Sequence, residues 1–64
     1  MKTKKAFYHM TVWGDGKELD SYFTEALTKE EARAKEEEEE QKWKRCYGNL
    51  YNEYSAYADF WEWA

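Results

Sequence analysis

Five consecutive glutamates, Glu36 to Glu40, are the residues of this chain that first invite a chemical reading. Paired carboxylates act as general acid and base only where a pocket moves one of them off its ordinary pKa, and a solvated run supplies no such pocket. The plainer reading of the run is a charged helix face. By residue type, His9 and Cys46 are the other reactive pair, a thiol and a base that could activate it. His9, however, falls in an alternating strand pattern among aromatic residues, and a lone cysteine near a helix end behaves mostly as a small hydrophobe. One cysteine and one histidine cannot build a tetrahedral zinc site, and Asp15-Gly16 lacks the spaced oxygen ligands of a calcium loop. No catalytic residue, metal ligand or cofactor is expected, and the chain reads as a non-enzyme.

Recognition chemistry remains. The acids Glu18, Asp20, Glu30, Glu31, Glu36, Glu37, Glu38, Glu39 and Glu40 form one candidate partner-binding set, with Glu25 among them in sequence. A rigid row of carboxylates can occupy a groove lined with Lys and Arg that holds phosphates, and complementary fields speed and select such an encounter. Solubility alone is the rival account of the same residues. The second candidate set is aromatic: Phe7, Trp13, Tyr22, Tyr57, Trp61 and Trp63, expected on one sheet face with nothing left in the chain to cover it. Large exposed apolar patches mark contacts with another chain.

Those sets need elements to position them. Gly14-Asp-Gly-Lys17 separates two apolar runs, and a two-residue Asp15-Gly16 loop favours a type I′ hairpin because both central residues take φ > 0. Strict pairing across that loop sets Val12 opposite Leu19, Met10 opposite Ser21 and Tyr8 opposite Phe23 on the core face. It sets Trp13 opposite Glu18, Thr11 opposite Asp20, His9 opposite Tyr22 and Phe7 opposite Thr24 on the other.

Thr28 and Glu31 then form a capping box, with Leu27 placed to staple onto Ala32, and acids lie in the first turn and bases in the last. A helix over 28 to 46, stopped near Gly48, is the reading; its polar middle, Lys35 to Lys42, offers the core little. From 49 to 64 the spacing of Leu50, Tyr54, Tyr57 and Trp61 fits a helix, whereas the aromatic density of Tyr54 to Trp63 fits a strand, and strand is chosen. As a strand it sends Tyr54, Ala56, Ala58 and Phe60 to one side and Ser55, Tyr57, Asp59, Trp61 and Trp63 to the other.

One domain over 1 to 64 follows, with a hairpin at 6 to 24, a helix at 28 to 46 and a final strand at 54 to 63. The fold class is α+β: ββαβ, a three-stranded antiparallel sheet in the order 2-1-3 with one long helix on one face.

Composition bounds the rest. A chain of 64 residues hides only about 60% of its unfolded surface, and here thirteen aromatics stand where small scaffolds usually carry disulfides. The net charge of −4 divides as +3 over residues 1 to 17, −7 over 18 to 40, +3 over 41 to 45 and −3 over 46 to 64. Without a basic stripe, direct binding to nucleic acid is not expected; a basic protein, a nucleic-acid-binding one included, suits the acids better, and a homodimer through the rings is the structural alternative. Rings serving as a stacking platform for a single strand come third, opposed by the acids on their face.

The start, Met1 to Lys5, is basic but is followed by alternation, not by a signal-peptide core, and nothing approaches the roughly 18 apolar residues of a membrane span, so a reducing, cytoplasmic setting is expected. In size and charge alone, the chain resembles small acidic inhibitors encoded by phages, anti-CRISPR proteins among them. That resemblance implies an inhibitor of a nucleic-acid-binding protein.

Overall fold

The computed structural model describes residues 4 to 64; the basic start at residues 1 to 3 lies outside them. Two strands, β1 (Ala6–Gly14) and β2 (Lys17–Phe23), are followed by the helix α1 (Lys29–Tyr47), a 3-10 turn (Gly48–Leu50) and the strand β3 (Tyr54–Trp63). The sheet is antiparallel in the order β2-β1-β3, so the expected ββαβ architecture is the one observed.

Local chemistry explains each element. Asp15 and Gly16 take φ of 52° and 79°, the positive values that a type I′ turn demands. At the helix start, the Glu31 N–H donates to the Thr28 hydroxyl (3.1 Å) and the Thr28 N–H donates back to the Glu31 carboxylate (2.8 Å), completing the capping box. Leu27 and Ala32 both pack in the core, as a staple requires. Between β2 and α1 the chain stays against β1, through reciprocal Ala6–Leu27 backbone bonds of 2.9 Å each.

The hairpin tip is also tied to the segment that leads into β3. Asp15 accepts from the Asn52 and Glu53 N–H groups at 2.9 to 3.1 Å, while its own N–H donates to the Glu53 carbonyl at 3.0 Å. Asp15→Ala removes a carboxylate acceptor from two N–H groups and puts a β-carbon residue of lower αL tolerance at φ 52°. The expected cost is about 1–2 kcal/mol, read as a lower urea midpoint at unchanged slope.

The register departs from strict alternation in two places. Across the hairpin, Trp13 pairs with Glu18, but Val12 then pairs with Asp20, Thr11 with Ser21, Met10 with Tyr22 and His9 with Phe23. Leu19 is the extra residue of a β-bulge. Leu19 and Tyr22 both pack against the core, and residues an odd number apart cannot share a face of a regular strand. The bulge resolves that conflict, and Gly14 makes room for it: a Cβ there would stand 2.8 Å from Leu19 Cδ1 and 2.9 Å from Tyr51 Cγ. The expected pairings of Val12, Met10, Tyr8, Thr11 and His9 with Leu19, Ser21, Phe23, Asp20 and Tyr22 are therefore corrected by one residue, and Tyr22 and Phe23 exchange faces.

The second bulge lies in β3, where Tyr8 pairs with Phe60 but Phe7 pairs with Glu62, leaving Trp61 unpaired. Beyond it Trp63 pairs with Ala6, on the helix side, so the expectation that Trp63 lies on the open face is also corrected.

The core lies between sheet and helix and is thin. Of its buried apolar residues, Ala6, Ala32, Ala56 and Ala58 are alanines, Tyr8 and Tyr54 keep their rings near the rim, and Met10 and Val12 are the largest fully buried side chains. Small residues on both surfaces let α1 settle closely over β3 and the adjoining part of β1. The result is a slab 43 × 17 × 13 Å, with a radius of gyration of 12.6 Å against about 11 Å for a typical domain of this length.

Candidate functional site

The side of the sheet turned away from α1 has no covering element among the described residues. β1 gives it Phe7, His9, Thr11 and Trp13; β2 gives Glu18, Ser21 and Phe23; β3 gives Ser55, Tyr57, Asp59, Trp61 and Glu62. Its rings form a cluster. His9 lies 4.9 Å from Phe23 and 6.4 Å from Trp61, and Phe23 meets Trp61 edge-on at 5.0 Å, all between ring centroids. Phe7, Phe23, Trp61 and Glu62 line a shallow depression of about 300 Å³.

The centre of this face is nearly dry, Thr11 being only 8% exposed, yet Phe23 and Trp61 keep 58% of their surface open and Tyr57 keeps 54%. Rings that shield one another at the middle and stay half open outward still have contact area to give.

Of the aromatic set expected from sequence, the structure brings Phe7, Trp13, Tyr57 and Trp61 together here and takes Tyr22 and Trp63 to the helix side. Sequence reasoning missed Phe23, which occupies the position assigned to Tyr22. The signal was present in Leu19 and Tyr22, two apolar residues at odd spacing beside a glycine.

The acidic set divides in the same way. Glu36 and Glu39 turn inward. Glu36 Oε2 accepts from the Ala58 N–H at 2.7 Å and its carboxylate is held by Arg33 at 2.8 Å, so it occupies an N–H of the β3 edge that would otherwise be open to another strand. Glu39 is buried and accepts from the Tyr22 hydroxyl at 3.0 Å, with the Lys42 ammonium 3.8 Å away. Glu30, Glu31, Glu37 and Glu38 remain exposed on α1 and Glu40 partly so, while Glu18 and Asp20 are exposed on β2. Because α1 carries seven acids against six bases, its net charge is only −1, so an unbroken anionic rod is not what the helix presents.

Tyr22 has its hydroxyl pKa raised well above the ordinary value of 10, first by burial, then by the hydrogen bond to Glu39 and that carboxylate's charge. A raised pKa in the folded state favours the neutral phenol there. The stability Tyr22 contributes is thus intact below pH 10 and is lost as pH rises beyond it. Thermal unfolding of the native chain and of Tyr22→Phe should show a gap of about 1 kcal/mol at neutral pH that closes above pH 10; a gap that stays constant would contradict this coupling. At the other end of the scale, the Glu31 carboxyl is held below its ordinary value chiefly by the bond from the Thr28 backbone, so the capping box is complete at neutral pH and is lost in acid.

His9 and Cys46, the reactive pair by type, do not meet: His9 sits within the ring cluster and Cys46 is exposed near the end of α1. Among the described residues there is no cluster of three or more metal-binding side chains, and no helix is long and apolar enough to cross a membrane. Comparison with protein-family models, with curated proteins and with solved structures found no match to this chain. What the site can do is therefore read from its own side chains: a ring cluster that spans all three strands, bordered by Asp59 and Glu62, with Glu18 beside Trp13 farther along the same face, on one side of a thin slab whose other side carries the helix.

Proposed function

We propose that this chain is a small protein-binding module that closes its open sheet face against a protein surface apolar at its centre and basic at its rim. The observation that carries this reading is the half-open state of Phe23, Tyr57 and Trp61 on the uncovered side of the sheet. Charge gives the partner's character. The strand positions bordering the rings bring Glu18, Asp59 and Glu62, so lysines or arginines opposite them gain attraction and acids are repelled.

The solvated acids Glu30 and Glu38 lie on the helix, on the other side of the sheet from the rings, while Glu37 lines the β3 edge beside Ser55 and Tyr57. A groove, whose walls enclose more than one side, can reach the rings and the helix acids together where a flat surface reaches one side only. A protein that holds nucleic acid in a Lys- and Arg-lined groove satisfies both requirements, and occupying that groove would make the chain its inhibitor.

Affinity capture from cell extract, paired with sedimentation of the purified chain, tests this. A basic protein recovered at low salt, released by raised salt and displaced by a polyanion, with the chain itself sedimenting as a monomer, is the expected result. A stable homodimer at micromolar concentration that Trp61→Ala dissolves would overturn it in favour of self-association.

A further inference from the structure

On the helix side, the second bulge places Phe60 and Trp63 together at the end of the sheet, 5.0 Å apart and edge to face, with Tyr8 meeting Phe60 at 6.3 Å. Phe60 and Trp63 are 52% and 60% exposed. They floor a cleft of about 400 Å³ whose lining carries the cations Lys4, Lys29 and Arg33 and the acid Glu30, with Arg33 also paired to Glu36 behind it. A chain of net charge −4 thus gathers three cations around its exposed helix-side rings.

We infer that this cleft is a binding site for a free mononucleotide, its base lodged against the exposed Phe60 and Trp63 rings and its phosphate held by Lys29, Arg33 and Lys4.

Each half of the ligand answers a feature the other leaves unmet. A phosphate alone would leave the exposed ring surface of Phe60 and Trp63 wet, and an apolar ring alone would desolvate cations without replacing their water. The volume falls in the range of small-ligand clefts, and base stacking on aromatic side chains is tolerant of base identity. Arg33 is braced by its two 2.8 Å contacts to Glu36, so its guanidinium is positioned before any ligand arrives. Lys4 already lies over the Trp63 ring, its Nζ 5.2 Å from the centroid. A polymer is disfavoured: phosphates beyond the first would run past Glu30 and Glu31 on the helix. The site is separate from the open sheet face and does not depend on the partner proposed for it.

The test is a two-dimensional NMR titration of the full labelled chain at low salt with AMP, adenosine, inorganic phosphate and a single-stranded oligonucleotide. The indole N–H signal of Trp63 is identified by its loss in Trp63→Phe. AMP should shift that signal and the Lys29 amide saturably, leaving the Trp61 indole in place, with adenosine and phosphate each binding about tenfold more weakly. Lys29→Glu should weaken AMP by about tenfold with the remaining spectrum unchanged. No shift at millimolar AMP, phosphate binding as well as AMP, or the oligonucleotide binding more tightly than AMP would each overturn the inference.

Discussion

Met10→Ala is expected to remove about 3–4 kcal/mol of stability, at least about a third of what a chain of this length holds at roughly 0.05–0.15 kcal/mol per residue. Met10 is fully buried and lies at the middle of β1, paired with Tyr22 on one side and Ala58 on the other. Deleting its side chain loses the transfer energy of three heavy atoms beyond Cβ and leaves a cavity besides. Partial collapse usually reduces that second loss. Here the neighbours facing Met10 include Ala32, Ala56 and Ala58, which have no length with which to fill a hole. Urea unfolding followed by circular dichroism reads the effect as a midpoint lowered by about 2–4 M. A loss under about 1 kcal/mol would mean that the helix shifts inward freely and that the core is less close-packed than its buried residues indicate.

The elements were legible in the sequence because short-range chemistry dictates them. Asp15-Gly16 specifies its turn, Thr28 with Glu31 specifies the helix start, and the crossover rule then leaves little freedom in strand order. Face assignment failed at Tyr22, Phe23 and Trp63 because alternation carries forward only until a bulge, after which every later side chain reverses. Both bulges let two bulky residues at odd spacing reach the helix side, Leu19 with Tyr22 and Phe60 with Trp63. That cause is tertiary and cannot be seen from either strand alone.

The acidic run was legible in part. Helical phase puts Glu36 and Glu39 on the stripe of Ala32 and Trp43, but the N–H and the phenol hydroxyl that satisfy them there, and so withdraw them from a partner, belong to distant strands. The basic rim of the Phe60–Trp63 cleft was invisible for the same reason, since Lys4, Lys29 and Arg33 come together only in the folded chain.

If the open face is the binding surface, Trp61→Ala should weaken the captured partner by about 2 kcal/mol or more, roughly thirtyfold, while the chain stays folded. Trp61 is the unpaired residue of the β3 bulge, in contact with His9 and Phe23 along part of its ring and open over 58% of its surface. An aromatic side chain fixed on one flank and bare on the other loses little entropy when a partner covers it, which is what makes such residues dominate interfaces. The same half-burial limits its share in folding, so the urea midpoint should move much less than for Met10→Ala.

The contrasting variant is Glu30→Lys with Glu38→Lys, at exposed positions of α1. Reversing those charges should slow association several-fold at low salt and weaken the contact of a basic groove with the helix, an effect that raised salt removes. The two variants separate the surfaces. A Trp61→Ala chain that holds its partner undiminished while the double lysine variant loses it would transfer the binding role from rings to acids.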